Sequence, residues 1–439
     1  MGFSDLTASF SVSFEACLLS GLRCGLVTVV AVGLAHPLST WALAGAKRRW
    51  LVILLPMLMP SLLLAYAYGD AMLHLMHAPN LRLSLYDSLL AVRFSSLAAV
   101  IVGLSGTRAT ESAAWIAAQC GDRLSRPRRL WLKIQEYRRA DALAFSVVWL
   151  LAFTEFEMAS LFSVPSWSVA LFDAHAGGIP LRASLWRALV PVLTALPIVG
   201  WLVCELRNAG QLPGKGRRIR AGRGGLVVLG VVAVSVLYPV WVAVAEIAKP
   251  GGLPPGSLQL LWRTLWLSAL AALLALVLAV CLRRRGWLLV VCVPALVGAL
   301  PTSLLMVALP RSGQTSVAAL VVALTLLCFP IVAVAVVRHG QSNLEVIQMA
   351  PRLASRFLLT LRMEGTALFF GWWLATIWAT QSITCWAMLA PIGLDGYYVR
   401  LHNLLHYGHN QSNALLLLVG VLVPLAGLLP FLWLGRRKR

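Results

Sequence analysis

The chain has 439 residues, of which 59% are hydrophobic and 12% charged, and its mean hydropathy is +0.81. An ordinary soluble domain has about a quarter of its residues charged, so the bilayer is the expected solvent for most of this chain, with no soluble domain of normal size left over. The formal charge of +21 raises nucleic acid as a partner, and the placement of the basic residues sets that reading aside.

Apolar runs of roughly 20 residues, each long enough to cross a hydrocarbon core of about 30 Å as a helix, recur from end to end. In chain order they predict spans near 15–37, 50–70, 86–106, 141–163, 185–206, 225–247, 259–282, 287–309, 316–337, 364–389 and 411–434, about eleven in all. With the N-terminus outside, the cytoplasmic segments hold Lys47 to Arg49, the cluster Arg123 to Arg139, the linker Arg207 to Arg223, Arg283 to Arg285, the stretch Arg338 to Arg362 and the terminal Arg436 to Arg439. The opposite side holds Arg82, Arg182, Arg187, Lys249, Arg311 and Arg400. Such a bias sets orientation by the positive-inside rule and puts the C-terminus in the cytoplasm. The basic balance is therefore a statement about topology and not about nucleic acid.

The eight cysteines are scattered with no CxxC pair, so neither a disulfide framework nor a zinc site is indicated. No basic segment precedes the first apolar run, and no cleaved signal peptide is read.

Sliding the second half over the first by 230 positions brings Arg108 onto Arg338, Arg126 onto Arg356, Met158 onto Met388, Val169 onto Val399, Leu171 onto Leu401 and Gly178 onto Gly408. At a slightly different offset, Pro56 and Pro60 followed by Ser61 to Leu64 resemble Pro294 and Pro301 followed by Thr302 to Leu305. The coincidence of Arg, Pro and Gly predicts a tandem repeat. Matched spans run in the same direction, as in a parallel repeat about an axis along the membrane normal. The expected division is a first repeat over 1–206 with about five spans, a basic cytoplasmic linker over 207–224, and a second repeat over 225–439 with about six. The extra span is 225–247.

Each half carries a polar cytoplasmic segment, near 107–139 and 338–362. The run Asn343 to Pro351 resembles the coupling-helix motif of binding-protein-dependent ABC importers, Glu-Ala-Ala, three residues, then Gly. Glu345 stands for the Glu, while Ile347 and Pro351 replace the second Ala and the Gly. The first segment keeps Ala117 and Gly121, with Trp115 where the Glu belongs. The stretch Tyr398 to Gly408 is similar to the segment before the last span in fused iron(III)- and thiamine-type ABC permeases.

The resemblance implies an all-α polytopic protein of the bacterial inner membrane with the type I importer fold. Its partners would be two ATP-binding cassette subunits on the cytoplasmic side and an extracytoplasmic substrate-binding protein, with ATP hydrolysis outside this chain and no cofactor in it. Ala117, Gly121, Glu345 and Pro351 would then lie where the chain couples to the ATPase. A coupling helix needs close backbone approach and a Gly-permitted turn, and Pro351 would end it instead.

Ionisable groups inside a span default to functional readings. Glu155 and Glu157 could line a substrate path or meet a cation, or form a solvated interfacial pair; on one helix their spacing would point them apart. Arg23, Arg93 and Arg263 read as snorkelling side chains or members of interhelical ion pairs, and Asp70 and Asp173 as solvated. His402, His406 and His409 would align on a helical face, although Gly408 and Asn410 argue against one continuous helix there, and no metal site is assigned. Trp372, Trp373, Trp378 and Trp386 read as an interface belt or core. No nucleotide-binding loop and no nucleophile and base constellation occurs.

The leading expectation is a permease subunit of an ATP-driven importer for a small solute such as iron(III) or thiamine. An ion-coupled secondary transporter and a transport-inactive permease relative that scaffolds or senses stay open beside it.

Overall fold

The computed structural model describes residues 3–45, 48–105, 126–208, 224–247, 254–282, 285–309, 316–340, 353–406 and 410–427, and these form helices and the turns between them. A first series comprises α1 (Phe3–Leu43), α2 (Arg48–Leu58), α3 (Ser61–His74), α4 (Pro79–Ser105), α5 (Arg126–Phe153), α6 (Glu157–Leu161), α7 (Trp167–Ala176) and α8 (Leu181–Asn208). After α9 (Gly224–Ile247) comes a second series: α10 (Ser257–Cys281), α11 (Arg285–Val297), α12 (Ala299–Ala308), α13 (Val317–Gly340), α14 (Leu353–Gln381), α15 (Ile383–Leu389), α16 (Tyr397–His406) and α17 (Asn410–Ala426). Long helix, bent pair, two long helices, two short helices and a returning helix thus occur in the same order on either side of α9.

Six described helices are long and apolar enough to cross a membrane: Phe14–Leu43, Pro79–Gly103, Leu181–Leu202, Gly224–Ile247, Ser257–Cys281 and Val317–Val336. Two bent pairs, Arg49–Leu58 with Ser61–His74 and Val290–Val297 with Ala299–Ala308, raise the number to as many as eight. The remaining expected spans, 141–163, 364–389 and 411–434, fall on α5, α14 and α17, which do not meet the same criterion over their described residues.

Four segments expected as continuous spans are broken. Between α2 and α3 the axis turns by 67° at Met59 and Pro60, where proline removes a backbone donor and keeps Met59 out of helical geometry. Between α11 and α12 it turns by 109° at Gly298, whose φ of 113° and ψ of 163° lie in a region used essentially by glycine alone. The span expected at 141–163 stops at Phe153 and resumes for one turn at α6, and that at 364–389 breaks at Ser382. In the membrane such breaks persist only where other groups satisfy the freed backbone.

Packing ties each series together in a similar way. α1 lies along α4 and against α5, and α10 lies against α13 and α14. The Trp149 indole of α5 donates to the Gly21 carbonyl of α1 at 2.9 Å, and the Trp372 indole of α14 donates to the Ala269 carbonyl of α10 at 3.0 Å. Fully buried Ala271, Ala272, Ala275 and Ala279 on α10 let the neighbouring backbones come close, the usual means of helix association in lipid.

α8 packs on α11 and α12 of the other series, while α9 contacts α1 with its first half and α3 and α17 with its second. One π-helical turn, 233–237, interrupts α9, and the Tyr68 hydroxyl of α3 donates to the Val234 carbonyl within it at 2.9 Å. The outward surface is apolar: Leu22, Leu26, Leu226, Leu229, Leu273 and Leu274 are exposed, as are Trp186, Trp241, Trp262 and Trp266. Exposed apolar faces around a core that buries Ser, Thr and Arg are the arrangement expected of a lipid-facing bundle.

Candidate functional site

The four breaks meet one another, and the polar side chains of the core collect where they meet. At the α2–α3 break, Pro60 supplies no amide and two carbonyls are left over. The Gln381 side chain, at the end of α14, donates to the Leu58 carbonyl at 2.9 Å, and Arg93 Nη2 of α4 donates to the Met59 carbonyl at 3.4 Å. The first of these crosses from one series to the other.

Glu155 sits in the break between α5 and α6. Its carboxylate accepts from the Met158 and Ala159 amides at 2.6 and 3.1 Å, capping α6, and from the buried Tyr86 hydroxyl at 2.8 Å. Glu157 begins α6. Its carboxylate accepts from the Ser61 hydroxyl at the start of α3 and from the Ile383 amide at the start of α15, the latter at 3.0 Å. The helix break removes the premise on which the two glutamates were expected to point apart: Glu155 lies in irregular backbone, and both turn into the protein. Neither is a bare carboxylate awaiting a cation, because each already holds two or three donors.

At the α11–α12 break the Thr302 hydroxyl donates to the Pro294 and Gly298 carbonyls at 3.0 and 2.8 Å. Next to it, the Ser303 hydroxyl lies 3.2 Å from Cys385 Sγ of α15. A Cβ on Gly298 would come within 2.7 Å of Thr154 Cγ2 in the α5–α6 break, so this break of the second series lies directly against a break of the first. Near the last two, the Trp167 indole donates to the Phe153 carbonyl and the Trp386 indole to the Ala379 carbonyl, satisfying the ends of α5 and α14.

Arg93 is the charge sequence reasoning underrated. Snorkelling was one expectation, yet Arg93 is 7% exposed, in the middle of α4, and its Nε lacks a hydrogen-bond partner. Glu157, Glu155 and Tyr86 are the groups that act on it electrostatically. The signal available in sequence was its position, since residue 93 falls near the middle of a 27-residue helix, too deep for an easy reach to either surface.

Arg23 does make an interhelical ion pair, with Asp87 at 3.3 Å, and its Nη1 donates to the Pro165 carbonyl. Arg263 is exposed beside Trp262 at the start of α10, where a snorkelling side chain belongs. Asp70 and Asp173 are exposed. Trp386 is buried in the core, whereas Trp372 is partly buried.

His402 lies on α16, which ends at His406, and His409 falls outside the described residues. No group of three or more metal-ligating side chains occurs among the described residues. The expected coupling residues Ala117, Gly121, Glu345 and Pro351, like Trp115, lie outside the described residues.

Among the described residues, the centre is built of interrupted helices, the Glu155 and Glu157 carboxylates, the buried Arg93 guanidinium and several hydroxyls, and no nucleophile and base pair is found there. Such an arrangement can bind and release a solute or hold two bundles in register. It belongs to a chain whose described residues form helices and turns, several of those helices being long and apolar enough to cross a membrane. No protein-family model, curated protein or solved structure matches the chain.

Proposed function

We propose that the chain is the permease subunit of an ATP-driven importer of the bacterial inner membrane, with its solute path running through the meeting point of the four helix breaks. The observation that carries this reading is that meeting point: two series of helices with the same element order, each broken twice, touch through their breaks at Gly298 against Thr154, Glu157 against Ile383 and Gln381 against Leu58. Transporters place substrate sites at repeat interfaces formed by discontinuous helices.

In this reading the chain has about eleven spans in two parallel repeats, the N-terminus outside and the C-terminus in the cytoplasm. The segments around Ala117, Gly121, Glu345 and Pro351 dock on two ATP-binding subunits, and an extracytoplasmic binding protein delivers a small solute. Closure of the ATP-binding subunits would rotate the repeats about the central contact. The test is co-purification with an ATPase subunit and stimulated ATP hydrolysis after reconstitution; a chain that neither binds nor stimulates such a subunit refutes the proposal.

A second reading, an ion-coupled secondary transporter, draws on the location of Glu155 and Glu157 at the break between α5 and α6. Uptake that survives ATP depletion and collapses with the proton gradient would favour it.

A further inference from the structure

The charges at the centre differ in how far they are committed. Glu155 is engaged by two backbone amides and the Tyr86 hydroxyl, which makes it the cap of α6. Glu157 is engaged by the Ser61 hydroxyl and the Ile383 amide. A guanidinium offers five N–H donors. Among the described residues, that of Arg93 has one hydrogen bond, at 3.4 Å to the Met59 carbonyl, lies over the Phe94 ring at 5.9 Å from its centroid, and keeps a buried Nε with no partner. Arg93 is more than nine-tenths buried, and its guanidinium reaches from α4 to the Met59 carbonyl just before α3, a 14-residue helix whose N-cap, Pro60, provides no side-chain hydrogen bond. Buried donors left unused are costly, and a cation beside a helix N-terminus is a place for an anion.

We infer that Arg93, the Ser61 hydroxyl and the Ile383 amide form a site for an oxyanionic group of the substrate, a carboxylate or phosphate, and that the Glu157 side chain fills this site until the substrate arrives. The inference rests on the transport reading above and names the substrate class for it. Exchange of one anion for another leaves the net charge at the centre unchanged.

Glu157 is placed to leave. It stands on a five-residue helix between two irregular stretches, and Ser163 just beyond that helix has a φ of 50°, a left-handed conformation that costs a non-glycine residue energy. Movement of α6 as a unit would release that strain and withdraw the carboxylate from Ser61 and Ile383 together. The solute path would thus select for anions, and the glutamates would not receive a cation.

The test is thermal unfolding of the purified full chain in nanodiscs, titrated with inorganic phosphate against chloride at constant ionic strength. The proteins are wild type, Glu157→Gln, Glu157→Asp and the double variant Glu157→Gln with Arg93→Gln. With the resident charge removed, the half-saturating phosphate concentration should fall about tenfold or more in Glu157→Gln, the value of one charge-assisted contact. The double variant should lose the response.

Should Glu157→Gln fail to fold, Glu157→Asp keeps the charge, draws it back by one methylene and should shift half-saturation in the same direction by a smaller factor. A phosphate response equal in the double variant would mark an adventitious ion only and overturn the inference. So would the lack of any phosphate effect beyond chloride, or an unshifted half-saturation in both single variants. Because the assay reads neither uptake nor ATP hydrolysis, its failure leaves the permease proposal standing, and failure of ATPase stimulation leaves this binding result standing.

Discussion

Gly298 to Ala is the perturbation whose cost the structure defines most closely. The residue has φ 113° and ψ 163° at the 109° bend between α11 and α12, where an L side chain is strained by about 1 to 3 kcal/mol. Its Cβ would lie 2.7 Å from Thr154 Cγ2 and 2.8 Å from Thr154 Cβ, and forcing a methyl into a filled contact adds about 1 to 3 kcal/mol more. The single substitution should therefore cost about 2 to 6 kcal/mol. Thr154→Gly deletes both contacting atoms and leaves the backbone strain, so the pair should couple by about 1 to 3 kcal/mol. Reversible unfolding in mixed detergent micelles of wild type, both single variants and the double variant measures this. A Gly298→Ala variant within about 0.5 kcal/mol of wild type, or strictly additive effects, would refute the contact between the two breaks.

The same unfolding assay bears on other contacts. Tyr86→Phe deletes the hydroxyl that donates to the Glu155 carboxylate at 2.8 Å and should cost about 1.5 to 3 kcal/mol, the worth of a hydrogen bond to a charged group; a negligible change would remove Glu155 from its capping role. Gln381→Ala leaves the Leu58 carbonyl without its side-chain donor across the two series and should cost about 1 to 3 kcal/mol, whereas Gln381→Glu, which replaces the donor by an acceptor, should cost more. Tyr68→Phe removes the bond to the π turn of α9 and should cost about 0.6 kcal/mol, the mean for such bonds within membranes. For the coupling segments, Trp115→Glu together with Pro351→Gly should raise ATPase stimulation in reconstituted complexes if the motif has decayed, and an unchanged rate would argue for a different docking geometry.

Helices long and apolar enough to cross a membrane, and most helix positions, are legible in sequence, because apolar run length is set by bilayer thickness and needs no tertiary information. The breaks are not. Proline is a poor guide here, since Pro191 and Pro197 lie inside unbroken α8 and Pro330 inside unbroken α13, while the sharpest bend is at Gly298. What makes a break stable is the donor or acceptor that another helix brings to it, and Gln381 reaching Leu58 spans 323 positions of chain. Glu155 and Glu157 were picked out as interior charges, yet their opposite assignments, a cap for one and a bridge to Ser61 and Ile383 for the other, follow from a helix end that no local periodicity announces. The burial of Arg93 is not legible in sequence, because burial at mid-helix is a property of the bundle around it.

The way the breaks are satisfied restricts how the centre can open. Each break frees backbone groups that lipid cannot serve, and at two of them the partner comes from the other series: Gln381 for Leu58, and Glu157 for Ile383. Pulling the series apart would orphan a carbonyl and an amide at one stroke, at about 1 to 3 kcal/mol each. A motion that admits water or a solute to the centre as it opens avoids that loss, since either can take over the vacated hydrogen bonds. On the transport reading, opening and filling would therefore be one event at this site, and a solute with acceptor oxygens, able to serve the Ile383 amide and the Arg93 guanidinium together, would lower the cost of opening more than water alone. On the transport reading, that would give the centre a means of telling a loaded path from an empty one, whichever energy source drives it.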